Sequence, residues 1–196
     1  MSALTVDDGP AGGQDWNGLV QVWEQTDGPE GSKVEIIEGI VTVSPLPANS
    51  HNSIANLVQR RLYTVIPEDW GIYQTLGVAV PSRSGLFIPD LVVVPEAVLN
   101  GPGNYIPAAA AELVVEITSP SNAGHDRLSK PSAYAQAGVP LYLLVDGHAP
   151  GGPTVTLYGE PVGDVYRVHT AVKTGEVIRL PGPFQLTLDT AGFPTD

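Results

Sequence analysis

The chain has 196 residues, of which 42% are hydrophobic and 15% charged, with a net charge of -12. That balance suits one globular domain, able to bury about two-thirds of the surface its unfolded form exposes. The absence of cysteine excludes disulfides and thiolate zinc sites and makes the cytosol the expected compartment. The acidic excess opposes a broad phosphate-binding surface of clustered Lys and Arg, although acids gathered around a divalent metal would be partly neutralised by it.

Residues 1–14 offer little to bury and lack the basic start and apolar run of a secretory signal. They are expected to form a flexible leader before a single domain over residues 15–196, with no stretch apolar enough to span a bilayer. Asp15 is placed to cap a helix that presents Trp16, Leu19, Val20 and Trp23 on one face and stops at Gly28-Pro29. Residues 34–38 and 40–43, joined at Gly39, read as two β-branched strands in a tight hairpin. The clearest helix is expected from Ser50 to about Ile66, where Ile54, Leu57, Val58, Leu62 and Val65 keep the helical period.

Strands are then predicted around residues 71–80, 87–94 and 112–118, the last two with continuous apolar runs that suggest cover on both faces. Residues 95–110 between them read as a long loop, either a functional flap or an excursion. Residues 126–137 look helical, with Pro131 expected to kink or start the helix. Residues 141–146 form another apolar strand, and the alternating segments 154–158, 165–170, 176–180 and 184–188 suggest an antiparallel meander.

The chemistry-bearing residues stand out against these runs. Asp90, in Ile88-Pro89-Asp90-Leu91, reads either as a turn aspartate or as an acid at the edge of a sheet core. Glu116 lies inside Leu113-Val114-Val115-Glu116-Ile117, a run made for burial, so its carboxylate needs a partner, whether a metal ion or an ion pair. If residues 126–137 are helical, Asp126, Lys130 and Tyr134 share a face; Lys130 then serves either an ordinary helix pair or a site, and Tyr134 reads as core. Two strand carboxylates followed by a helical lysine form a set that metal-assisted phosphodiester hydrolysis can use.

These pieces resemble the Uma2 family of nuclease-like proteins within the PD-(D/E)xK superfamily, over about Val34 to the C-terminus. The carriers are Glu35-Ile36-Ile37-Glu38-Gly39, His51, Ile88-Pro89-Asp90, Val115-Glu116-Ile117-Thr118-Ser119-Pro120, Asp126 with Lys130 and Tyr134, Gly138-Val139-Pro140 and Tyr142-Leu143-Leu144-Val145-Asp146. The resemblance implies an α/β (α+β) restriction-endonuclease-like fold, with a mixed central sheet flanked by helices and a C-terminal antiparallel meander. It implies a Mg²⁺-dependent DNA endonuclease, with Mn²⁺ able to substitute, and a homodimer. Asp90 and Glu116 are the implied metal ligands. The usual lysine two positions after the acid is replaced by Thr118, and the family pattern has Lys130 supply the amine and assist the attacking water.

Glu35 is an expected third metal ligand or a solvated strand acid, His51 a phosphate contact or a helix-start cap, and Asp126 an orienter of Lys130 or a helix N-terminal acid. The competing reading is a catalytically inactive interaction or regulatory module on the same fold. A two-carboxylate glycoside hydrolase has no support beyond the presence of acids.

Overall fold

The computed structural model describes residues 15–120 and 122–194; the expected leader at residues 1–14 lies outside them. Helix α1 (Trp16–Gln25) is followed by β1 (Lys33–Ile37), β2 (Ile40–Ser44), α2 (Asn49–Leu62), β3 (Trp70–Tyr73), β4 (Gly77–Val80), β5 (Gly85–Phe87), β6 (Leu91–Pro95), β7 (Tyr105–Pro107) and β8 (Leu113–Ile117). Two short helices, α3 (Ala123–Arg127) and α4 (Ser129–Gln136), lead into β9 (Leu141–Asp146), β10 (Thr154–Val162), β11 (Val165–Lys173), β12 (Val177–Leu180) and β13 (Leu186–Asp189).

The central sheet has six strands in the order β11-β10-β9-β8-β6-β3, mixed because β8 and β9 run parallel while their other neighbours are antiparallel. All residues of β8 and β9 are buried, as their continuous apolar runs require. On one face, Leu91, Val93, Leu113, Val115 and Leu143 pack against α2 and the β12–β13 pair. On the other, Val92, Val94, Val114, Tyr142 and Leu144 meet α4 and the inner side of a second, five-stranded sheet of order β2-β1-β5-β4-β7. Helix α1 covers the outer side of that second sheet through Trp16, Leu19, Val20 and Trp23, with Asp15 capping it through the Gly18 amide as its sequence predicts. The restriction-endonuclease-like mixed sheet flanked by helices is thus present, with the second sheet as an added layer.

Two predicted strands are each divided between the sheets. Residues 71–80 split so that β3 joins the central sheet and β4 the second one, and residues 87–94 split in the same way into β5 and β6. Pro89 has no amide to give a ladder, so the chain leaves one sheet and enters the other at Ile88-Pro89-Asp90. This crossing puts Asp90 at the seam between the sheets. Residues 95–110 are more ordered than a flap: a 3-10 turn over Glu96–Asn100 precedes β7, which pairs parallel with β4 and buries Ile106. The expected meander also divides. Strands β10 and β11 extend the central sheet as a hairpin, while β12 and β13 form a separate pair folded over the core.

Candidate active site

Strands β6 and β8 pair with Leu91 opposite Val115. Continued one residue beyond β6, this register sets Asp90 opposite Glu116. Glu116 shares the face of Val114, toward α4 and the second sheet, while Asp90, in the bend just before β6, reaches Lys33 of β1 and His51 of α2. From that second sheet, β1 contributes Glu35, whose Oε1 accepts from the Ile88 amide at 2.8 Å. Helix α4 contributes Lys130. The helical segment expected over residues 126–137 breaks at Leu128, and Pro131 sits at the third position of α4, in the first turn, where no intrahelical acceptor awaits its missing amide.

Lys130 is the hub of the cluster. Its Nζ lies 2.9 Å from Glu116 Oε1, 3.2 Å from Glu35 Oε1 and 3.1 Å from Asp126 Oδ1, and all four side chains are buried. Asp126 and Lys130 therefore meet across the α3–α4 break, and Tyr142 steadies that approach by donating its hydroxyl to the Asp126 carbonyl at 2.8 Å. Burial opposes the charge of Lys130, but Glu116, Glu35 and Asp126 outweigh it and hold the ammonium well above its ordinary pKa. Glu116 is driven the other way. Burial pushes its carboxyl well above the usual range; Lys130 opposes this, while Asp126, Asp90 and Glu35 reinforce it. Burial likewise raises Asp126 against the pull of Lys130. Tyr134, read from sequence as core, is fully buried and also donates its hydroxyl to Glu116 Oε1 at 3.2 Å.

Asp90 forms the second centre. Its Oδ2 accepts from the Ile117 amide at 2.7 Å and lies 3.0 Å from His51 Nε2, while Lys33 Nζ is paired with Oδ1. Burial alone would raise this carboxyl; the His51 hydrogen bond and the Lys33 charge overcome it and hold the pKa at about 2. His51 sits in the first turn of α2 and turns its ring to Asp90, leaving a buried Nδ1 with no hydrogen-bond partner among the described residues. Lys33 was not singled out by sequence. The signal available was its place two residues before Glu35 on a strand, which puts both side chains on one face.

Thr118, two positions after Glu116, does not join the cluster. Its hydroxyl donates to Asp146 Oδ1 at 3.1 Å, and Asp146 is gripped by Arg127 through Nε at 2.6 Å and Nη2 at 2.9 Å. The acids open onto a cavity of about 390 Å³ bordered by Lys33, His51, Asp90, Glu116 and, at its apolar rim, Leu46 and Phe193.

The donor chemistry fits a hard divalent cation. Glu35, Asp90, Glu116 and Asp126 bring four carboxylates to one seam against the ammonium groups of Lys33 and Lys130. Oxygen ligands and an excess of negative charge are what Mg²⁺ requires. Among the described residues no group of three acids or histidines is spaced to hold a metal ion. The ammonium groups of Lys33 and Lys130 are paired with oxygens of Asp90 and Glu116.

Among the described residues no helix is long and apolar enough to cross a membrane. No curated protein matches the chain. A solved structure described as a putative nuclease belonging to DUF820 from Anabaena variabilis aligns with a TM-score of 0.70 at 17% identity, covering 91% of this chain and 96% of that one, a likeness of fold. The family described as Uma2, putative restriction endonuclease, matches residues 21–191. With nearly the whole domain matched by that family and the nuclease-like fold beneath it, the chain belongs to the Uma2 family.

Proposed function

We propose that the protein is a metal-dependent endonuclease that hydrolyses phosphodiester bonds of DNA. The observation that carries this reading is that Asp90 and Glu116 border one open cavity at the sheet seam, with Lys130 paired to Glu116. Asp90 and Glu116 would hold Mg²⁺ or Mn²⁺, with Glu35 as a third carboxylate from β1. When bound, such an ion polarises the phosphate and lowers the pKa of its water.

The remaining residues set up that chemistry. Lys130 opposes the cost of burying the Glu116 carboxylate by donating to it at 2.9 Å, and supplies positive charge beside the attacking water. Asp126 holds Lys130 across the helix break, and His51 fixes the orientation of Asp90. The buried ion pairs keep both carboxylates in place before substrate arrives, so little reorganisation remains at the moment of reaction.

The test is cleavage of supercoiled plasmid by purified protein with Mg²⁺. Nicked or linear product is expected from the natural protein and none from Asp90→Ala or Glu116→Ala. Cleavage that survives either substitution unchanged, or none from the natural protein with Mg²⁺ or Mn²⁺, would reject the reading and favour a non-catalytic module.

A further inference from the structure

The cluster's two lysines are chemically alike but differently placed. The Lys130 side chain is 3% exposed and faces three carboxylates, so its ammonium cannot leave without stranding them in the core. The Lys33 side chain stands at the start of β1, is 24% exposed and borders the cavity. Its flexible four-carbon stem lets the ammonium move into that cavity while the strand stays paired.

The two oxygens of Asp90 are also unequal. Oδ2 is committed to the Ile117 amide and to His51, both fixed by β8 and α2. Oδ1 is the oxygen left for a cation, and Lys33 is the group on it. A divalent ion and the Lys33 ammonium therefore compete for one atom.

We propose that Lys33 is an exchangeable counter-ion: it neutralises Asp90 Oδ1 until a divalent cation takes that oxygen, and is then released into the cavity. This rests on the reading of Asp90 as a metal ligand given above. The released ammonium stands in the cavity through which a phosphodiester would approach.

The chain contains three lysines, which makes the test clean. Reductive methylation of the full chain, mapped by mass spectrometry with and without Mn²⁺, reports Lys33 against the exposed Lys173 and the buried Lys130. Saturating Mn²⁺ is expected to raise Lys33 modification several-fold while Lys173 and Lys130 stay unchanged. In calorimetry, folded Lys33→Met is expected to bind Mn²⁺ about 2- to 5-fold tighter than the natural protein, the fold-change set by losing a partly exposed competing ion pair. Mn²⁺ binding that is abolished by Asp90→Asn, yet leaves Lys33 modification unchanged, would overturn the exchange and leave the metal site standing. Equal or weaker Mn²⁺ binding by folded Lys33→Met would do the same. Absence of any Asp90-dependent Mn²⁺ binding would remove the metal site and the exchange together.

Discussion

Replacing Lys130 by methionine keeps the length of the side chain and deletes its charge, so the change isolates what the ammonium does. Glu116, Glu35 and Asp126, at 2.9, 3.2 and 3.1 Å from Nζ, would be left in the core without their shared counter-ion. Removing one partner of a buried pair costs about 3–5 kcal/mol. For a domain of this size that corresponds to a fall of about 6–20 °C in Tm.

The loss should depend on pH, with a definite sign. Glu116 and Asp126 already bind protons more tightly than free carboxyls, and without Lys130 that tendency grows. The folded state then holds protons that the unfolded chain releases above about pH 4, so the variant loses stability as pH rises. The ammonium of Lys130 is charged throughout this window, so the natural protein lacks that added slope. Urea denaturation at pH 5 and pH 8 is the assay: the deficit of Lys130→Met should be larger at pH 8, and adding Glu116→Gln should recover part of it. A deficit below about 1 kcal/mol, or one equal at both pH values, would refute the counter-ion reasoning.

Other perturbations probe the supports of the site. Asp146→Asn weakens the Arg127 fork and the Thr118 contact and should cost about 1–3 kcal/mol at neutral pH. Because Arg127 and its other donors overcome burial and hold Asp146 below the usual carboxyl range, that difference should be present above about pH 4 and fade as pH falls further, as denaturation across acid pH would show. Gly138→Ala acts on the backbone alone: Gly138 ends α4 at φ +80°, an added Cβ would meet nothing within 4 Å, and the expected cost is about 1 kcal/mol by the same assay. Leu143→Ala, at a fully buried position of the central sheet, should cost about 2–5 kcal/mol. The Asp90 and Glu116 variants should lose plasmid cleavage while staying folded by circular dichroism.

Much of this arrangement was legible in the residues. A lone carboxylate in Leu113-Val114-Val115-Glu116-Ile117 had to be compensated, and the four-residue spacing of Asp126, Lys130 and Tyr134 did place all three in one cluster, even across a helix break. Continuous apolar runs marked β8 and β9 because burial on both faces leaves no polar alternation. The second sheet was not legible. Residues 71–80 and 87–94 are mostly apolar, and a period of two tells which face a residue takes but not which sheet it joins. Pro89 was the clue to the crossing, since a ladder cannot use it. Lys33 escaped notice for a similar reason: a lysine at a strand start is ordinary, and its partner lies 57 positions away, at the crossing between the sheets. Read with Glu35 as a same-face pair, it would have pointed inward.

Titration of Mn²⁺ into the natural protein, Asp90→Asn and Glu116→Gln by calorimetry bears most directly on whether the two seam carboxylates hold a divalent cation. Saturable binding to the natural chain, absent from both folded variants, is the expected result. Undiminished binding by both variants would place the cation elsewhere and contradict the proposed site.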